Sequence, residues 1–222
     1  MKIKHHAYFN NKMKTLDWKG LRDSESDPAY YIPQVKEDYL LKVNVKEPSN
    51  LTKVILKELE KKNKNKIFSI GSGIAFIEYQ LKKFSNSSVV VSDFNSTVLR
   101  LKKFEVFDDA LLLNALEELL PVDNSFSVLF PRIDTEFDDN QFQKIFAKCH
   151  DSGVKHICFI PAELLSVKVV LAEIKVLIMS LILRKPRVFC GYARSMSHFI
   201  KIWSPYYKVY KTDNKIYFLE KK

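Results

Sequence analysis

The chain has 222 residues, a formal net charge of +10 at pH 7, 46% apolar residues and 28% charged residues. This composition excludes a disordered chain, and the length suits one domain with a sizeable core. Three cysteines without a C-x-x-C spacing argue against a disulfide framework and a zinc site. The opening MKIKHHAYFNNK has no apolar segment of the kind that a signal peptide carries, so we expect a cytoplasmic protein.

The charge is unevenly distributed along the chain. Residues 1–66 sum to +6, residues 67–149 to −4 and residues 150–222 to +8. Basic ends would attract a phosphate-bearing substrate, nucleic acid or an anionic membrane surface. A lysine-rich solvated surface without a partner explains the same charge, so both interpretations stay open.

In chain order, the first 48 residues carry aromatic pairs interrupted by prolines, which predicts short helices and loops that form an N-terminal lid. Residues 49–222 alternate between helical and strand patterns and form the predicted main domain. Strands are predicted after residue 66, at 88–92, up to Asn114, and at 126–130 and 154–160. Helices are predicted at 49–60, after Gly73, and at 96–105, 138–149 and 195–203. A loop is expected between 184 and 194, and a hairpin at 207–211 and 215–221.

The most informative segment is KIFSIGSGIAFIEYQL (66–81), followed by VVVSDFN (89–95). Gly71 and Gly73 allow a sharp turn and a close approach of the backbone to a ligand, because neither carries a Cβ. Asp93 lies at the carboxyl end of the next strand, where an acid accepts hydrogen bonds from a ribose. The pattern indicates a nucleoside-binding βαβ unit.

The residues around the glycines narrow the choice of nucleoside. Phe76 occupies the sixth position of the dinucleotide fingerprint G-x-G-x-x-G, which argues against NAD and FAD, and no phosphate-cradling G-x-x-x-x-G-K-[ST] loop is present. Residues 67–75 instead resemble motif I of the class I S-adenosylmethionine (SAM)-dependent methyltransferases, h-h-D-h-G-x-G-x-G. Ser69 stands in place of the usual acid, and Ala75 in place of the third glycine.

The resemblance extends along NALEELLPVDNSFSVLF (114–130), where Asn114-Ala115 takes the place of the family's adenine-contacting Asp-Ala. It implies a Rossmann-like α/β fold: a mostly parallel seven-stranded sheet with helices on both faces and an antiparallel C-terminal hairpin. It also implies SAM as the cofactor. The cofactor-binding residues implied in this way are Ser69, Gly71, Ser72, Gly73, Asp93, Phe94, Asn114, Ala115 and Phe130.

Candidate catalytic residues follow from the same resemblance and from side-chain chemistry. Arg132 and Asp134 come just after the fourth strand of the domain, where family members place acceptor-side residues, although a surface turn would look the same. His198 is the best-placed histidine for a general base. No metal is predicted, because Pro161-Ala162 after the fifth strand lacks the Asp-Asn pair of the metal-dependent catechol-type enzymes.

The favoured function is methyl transfer to a small molecule or to a sugar hydroxyl of a glycan. The segment around Tyr192 and Arg194 resembles a turn of methyltransferase-like proteins from surface-polysaccharide clusters, which supports the glycan version. The [DNS]-P-P-[YF] and Pro-Cys motifs of DNA methyltransferases are missing. An RNA or protein methyltransferase stays open, as does a non-catalytic binding protein with a decayed cofactor site.

The longest apolar segment, residues 162–183, is interrupted by Lys168, Glu173 and Lys175, so it is not expected to span a membrane. We expect a helix that is mostly buried against the sheet. The basic residues that follow, Arg184, Lys185 and Arg187, keep a second interpretation open, in which residues 162–187 contact a second copy of the chain or the inner face of a membrane.

Overall fold

A computed structural model describes residues 1–8, 30–184 and 186–222 of the chain. Phe9 and Trp18 of the predicted lid and the basic residue Lys185 therefore lie outside the described residues. The strands are β1 (Lys2–Tyr8), β2 (Lys66–Ile70), β3 (Ser88–Asp93), β4 (Asp109–Leu112), β5 (Ser127–Pro131), β6 (His156–Ile160), β7 (Arg187–Arg194), β8 (Tyr207–Asp213) and β9 (Ile216–Lys221). The helices are α1 (Lys36–Val43), α2 (Asn50–Lys61), α3 (Phe76–Phe84), α4 (Val98–Lys103), α5 (Asp139–Asp151), α6 (Val167–Leu183) and α7 (Met196–Trp203).

Seven strands form the central sheet in the order β4-β3-β2-β5-β6-β9-β8. Strands β4, β3, β2, β5 and β6 are parallel to their neighbours, whereas β9 pairs antiparallel with both β6 and β8. The inner strands are continuous buried runs, as expected when helices cover both faces of a parallel sheet. The predicted Rossmann-like fold with an antiparallel C-terminal hairpin is confirmed.

A hydrophobic core lies on each face of the sheet. One face is aromatic: Phe142 and Phe146 of α5 pack with Phe130 and Phe159 of the sheet and with Trp203 of α7. The other face is aliphatic and is covered by α1, α2, α3 and α4. These cores bury β2 and α3, the two elements that flank the glycine turn, and thereby hold both ends of the turn in place.

Most predicted elements form where the patterns placed them. Ser49 caps α2 by accepting a hydrogen bond from the Thr52 backbone N–H at 3.2 Å. The third strand of the domain, β4, ends at Leu112 instead of Asn114. Its end is early because the Asn114 side chain accepts from the Leu116 backbone N–H at 3.1 Å and so begins a turn.

The predicted loop before residue 195 is wrong, because residues Arg187–Arg194 form strand β7. Its antiparallel partner is β1, at the other end of the chain, and the two make a separate two-stranded ribbon. Strand β1 also lies in the segment that was predicted to hold only short helices and loops. A strand whose ladder partner is so distant in sequence leaves little local signal.

The prediction that residues 162–183 are mostly buried against the sheet is also wrong. Helix α6 begins at Val167, after the Ser166 cap, and only Val169 and Ser180 of it are buried. Its packed side faces the ribbon, where Glu173 contacts His5 Nδ1 at 2.6 Å and His6 Nδ1 at 3.1 Å. Among the described residues, no helix is long and apolar enough to cross a membrane.

Candidate functional site

The turn between β2 and α3 has an unusual backbone. Gly71 and Gly73 have φ of +71° and +57°, and Ala75, where methyltransferases carry a third glycine, has φ of +57°. A left-handed alanine costs about 1–2 kcal/mol, so Ala75 keeps the conformation of the missing glycine at some cost. A Cβ at Gly71 would lie 2.3 Å from Ile133 Cγ2, so only glycine fits there.

Asp93 holds this turn from the end of β3. Its Oδ2 accepts a hydrogen bond from the Gly73 backbone N–H at 2.9 Å, and its Oδ1 accepts from the Asn95 backbone N–H at 3.0 Å. The residue is 2% exposed.

Two cavities open at the carboxyl edge of the sheet, on either side of Ile133. The larger, of about 740 Å³, extends over the glycine turn to the residues that follow β5 and β6. The smaller, of about 240 Å³, lies against the residues that follow β3 and β4. Gly71, Ile133 and Glu136 line both cavities. The pair forms one groove across the strand ends, where open α/β sheets bind their ligands.

Glu78, in the first turn of α3, is a buried acid of the larger cavity. The hydroxyl of Ser69, the residue that replaces the motif I acid, donates to Glu78 Oε1 at 2.5 Å. Burial raises the pKa of Glu78 to about 7, with a further rise from the negative charge of Asp93 and a partial reduction by the Ser69 hydrogen bond. Ser72 Oγ, in the same cavity, is buried and has no hydrogen-bond partner among the described residues.

The predicted cofactor residues divide into those that line the groove and those behind it. Gly71, Ser72 and Gly73 line the larger cavity, and Phe94, Asn114 and Ala115 line the smaller one. Ser69 and Asp93 lie behind the wall and act on it through the hydrogen bonds to Glu78 and Gly73. Phe130 is fully buried against Phe142 and Phe146 in the aromatic core, so it does not face the groove.

The three catalytic candidates do not come together. Arg132 lines the larger cavity and has a left-handed φ of +62°. Asp134 is fully buried, and its Oδ1 accepts from the Ala162 backbone N–H at 2.7 Å, so it ties the segment after β5 to the segment after β6. Burial raises the pKa of Asp134 to about 6, and the bond from Ala162 and the charge of Arg194 partly offset that rise.

His198 is placed away from the groove, in a polar cluster around Asp139. Its Nε2 lies 2.8 Å from Asp139 Oδ2, which also pairs with Lys2 Nζ at 3.0 Å. Arg194 Nε donates to Asp139 Oδ1 at 2.9 Å. These three partners hold the pKa of Asp139 far below its usual range, against the effect of partial burial. The cluster joins the ribbon to the start of α5.

Several residues that line the groove were not predicted as site residues. They are Ile133, Thr135, Glu136, Glu163 and Cys190 in the larger cavity, and Leu113, Leu116, Phe137 and Gln141 in the smaller one. Most follow the carboxyl ends of strands, which is the one signal that could have found them. Cys190 could not be found in this way because it lies on β7, the unpredicted strand.

A metal site has no support in the part of the chain that the structure describes. No group of three or more His, Cys, Asp or Glu there could hold a metal ion. The prediction of no metal stays a prediction, as does the lid role of residues 1–48. Of that segment, Tyr30 lines the larger cavity, and α1 is anchored by the buried Tyr39 and Val43.

No protein-family model and no curated protein sequence matches this chain. Solved structures resemble its fold. Human N-acetylserotonin methyltransferase in complex with SAM aligns with a TM-score of 0.61 and 14% identity over 92% of this chain and 58% of that chain. PigF with SAH aligns with a TM-score of 0.64 and 10% identity over 93% of this chain and 62% of that chain.

A third similar structure is the O-methyltransferase family 2 protein from Planctomyces limnophilus in complex with apigenin. It aligns with a TM-score of 0.52 and 12% identity over 82% of this chain and 64% of that chain. The chain thus spans less than two thirds of the length of these structures. At such low identities the likeness shows the fold alone, which the chain shares with the human N-acetylserotonin methyltransferase and the Planctomyces limnophilus O-methyltransferase structures.

Proposed function

We propose that this protein is a SAM-dependent methyltransferase that methylates a small molecule. The observation that carries the proposal is the glycine turn of β2–α3, with left-handed Gly71 and Gly73, at a groove across the strand ends. The residues present fit the cofactor, because Ser72 Oγ and Glu78 supply buried polar atoms in the larger cavity beside the glycine turn. The smaller cavity would take the adenine, between Phe94 and Asn114.

SAM would supply a methyl group activated by the positive charge of its sulfonium. The chain would then have to align the acceptor and exclude water, and positioning of this kind is worth roughly 7–11 kcal/mol. Tyr30, Arg132 and Glu163 line the larger cavity next to the glycine turn. No histidine is among the described residues that line either cavity, so carboxylates are the candidate bases for a hydroxyl acceptor.

Calorimetric titration with SAM, with and without a change in the turn, tests this function. Gly73→Val would place a β-branched side chain at φ of +57°, on the ligand side of the turn, and we expect SAM binding to be lost. Gly153→Val is the matched control, because Gly153 has φ of +81° after α5, and a Cβ there meets no atom closer than 3.9 Å.

Loss of SAM binding in Gly73→Val, with binding retained in Gly153→Val, supports the proposal. Equal binding by the wild type and Gly73→Val contradicts the turn assignment. If the wild type does not bind SAM at all, the non-catalytic alternative takes its place.

The acceptor is best sought among small hydroxylated molecules, because a cavity of about 740 Å³ is of the size that encloses such ligands. Sugar hydroxyls of a glycan precursor are the second set to test, and an RNA acceptor would show affinity that falls steeply with salt.

The exposed face of α6 is the surface that we assign to a partner. Val167, Leu171, Ile174, Ile178 and Leu181 lie on one side of the helix and are 46–76% exposed. A contiguous apolar face of this kind is unusual on a free surface. The single acid of the helix, Glu173, faces the ribbon, whereas the basic residues Lys168, Arg184 and Arg187 are exposed.

We propose that this face contacts an anionic membrane surface. Apolar side chains beside basic residues match an interface with anionic headgroups. A second copy of the chain would instead bring the basic residues of both copies together without an acidic partner from the helix. Sedimentation with neutral and anionic vesicles tests this at low and high salt.

We expect binding to anionic vesicles only, weakened by salt and by replacing Lys168, Arg184 and Arg187 with glutamine. Binding that survives this replacement, or an equal preference for neutral vesicles, contradicts the membrane proposal. A mass that rises with concentration and no vesicle binding would assign the face to a dimer.

A further inference from the structure

The acid that motif I normally provides at the end of the first strand of the domain is missing, because Ser69 takes its place. A carboxylate is nevertheless present at this point, supplied from the next helix. Glu78, nine residues later, places Oε1 2.5 Å from Ser69 Oγ, and the Ser69 hydroxyl donates to it. Both residues are buried, with exposures of 0% and 1%.

Glu78 has no cationic partner among the described residues. Its hydrogen bond comes from a neutral hydroxyl, and the charge that acts on it most directly is the negative charge of Asp93. A buried carboxylate without a positive partner is unfavourable, and a cationic ligand would offset that cost. The larger cavity that Glu78 lines also holds the hydroxyl of Ser72, which has no partner within the described part of the chain and is a second polar group that points to a ligand.

We propose that Glu78 binds the ammonium group of the amino-acid portion of SAM. This inference rests on the proposed function. If adenine occupies the smaller cavity, the amino-acid portion extends over Gly71 and Gly73 into the larger one, where Glu78 lies. The departure at Ser69 is then a relocation of the acid and not the decay of the site.

The pH dependence of binding follows from the same carboxyl. Its pKa in the free protein is about 7, because burial favours the neutral acid. An ammonium group stabilises the carboxylate, so the bound state has a lower pKa and binding near pH 7 releases a proton. The affinity should be greatest just above pH 7 and should fall by up to tenfold for each pH unit below 7, until the bound carboxyl is protonated as well.

The test is calorimetry with three probes: SAM, SAH and methylthioadenosine. SAH keeps the ammonium group but lacks the sulfonium charge, and methylthioadenosine lacks the amino-acid portion. Glu78→Gln keeps a hydrogen-bond acceptor for Ser69. For this variant we expect the affinity for SAM and SAH to fall by about 10- to 100-fold and the affinity for methylthioadenosine to stay unchanged. Glu58→Gln is the control, because Glu58 is also a buried glutamate but lies beside the first residues of β5 and β6.

Each outcome separates the two proposals. Wild-type protein that binds no SAM overturns the proposed function itself. Binding by the wild type with unchanged affinity in Glu78→Gln overturns only the role of Glu78, and so does an equal loss for methylthioadenosine. A loss for SAM without a loss for SAH would assign Glu78 to the sulfonium and overturn the ammonium version.

A second measurement does not depend on the variant folding. Wild-type titrations with SAH at pH 7, in two buffers of different ionisation enthalpy, report the protons released on binding. We expect release of a fraction of one proton, which disappears at pH 9 apart from the contribution of the ligand's own amino group. Methylthioadenosine should release none. Equal proton release with both probes would overturn the inference.

Discussion

The glycine-turn edge of the sheet and helix α6 are both built from long apolar segments, yet they differ in what surrounds them. At the edge, β2 and β3 are buried between two helical layers, and their ends carry the turn that forms the groove. Helix α6 has only two buried residues and faces the small β1–β7 ribbon with its one acidic side chain. An apolar segment therefore predicts that something covers it, but not whether that cover belongs to the same chain.

The ribbon that packs beside α6 is connected to the glycine-turn edge through the segment after β5. Arg194 of the ribbon is fully buried, and its guanidinium donates to the backbone carbonyls of Asp134 and Phe137 at 2.5 Å each and to Asp139 Oδ1 at 2.9 Å. The Tyr192 backbone N–H donates to the Thr135 carbonyl at 3.0 Å. Because this segment also carries Arg132 and Ile133, the ribbon supports one wall of the groove.

The largest expected effect comes from breaking that connection. Arg194→Met leaves the buried carbonyls of Asp134 and Phe137 without a charged donor and removes one of the three partners of Asp139, so we expect a loss of about 3–5 kcal/mol in the free energy of unfolding. Chemical denaturation measures it. Arg187→Met, on the exposed start of the same strand, should change stability by less than about 0.5 kcal/mol. Equal stability in both variants would mean that the ribbon is not anchored through Arg194.

A smaller effect is expected at Asp93, and it tests whether this residue takes part in cofactor binding at the groove. Asp93→Ala removes the acceptor for Gly73 and a predicted acceptor for the ribose, and we expect SAM binding to weaken by about 1.5–3 kcal/mol. The affinities of this variant for adenosine and SAH should fall by similar amounts, since both ligands carry the ribose. An affinity equal to that of the wild type would contradict any role of Asp93 in the site.

The smallest effect is expected on the exposed face of α6. Leu171 is 59% exposed, so Leu171→Gln should change the free energy of unfolding by less than about 0.5 kcal/mol. Val169→Gln on the packed side, where the residue is 3% exposed, should destabilise by about 2 kcal/mol or more. A large loss for Leu171→Gln in the isolated protein would show that this face is covered and would remove the contrast between the two regions.

How far the sequence predicts this structure follows from the same contrast. The sheet could be predicted because its inner strands are apolar runs bounded by turns, and the glycine turn because positive φ restricts the residue type. Strand β7 could not, because its partner β1 lies at the other end of the chain. Asp134 and His198 carry suitable chemistry, but only the tertiary structure shows that one is buried and the other pairs with Asp139.

The role of Glu78 shows a further limit. Its position in the first turn of α3 is visible in the sequence, but its proximity to Ser69 depends on how the helix packs over β2. From the sequence alone, Glu78 could face the methionine end of the cofactor or form a surface pair, and Ser69 at the motif position left a decayed site open. The structure places a carboxylate next to that serine.

The most direct test of the central claim is a crystal structure of the protein with SAH. We predict adenine beside Phe94 and Asn114 in the smaller cavity, the ribose near Asp93, and the ammonium group within hydrogen-bond distance of Glu78. For SAH to extend from the smaller cavity across Gly71 into the larger one, the Ile133 side chain would have to turn away from the glycine. SAH bound elsewhere, or a groove that stays closed by Ile133 at saturating SAH, would contradict the assignment of this edge as the cofactor site.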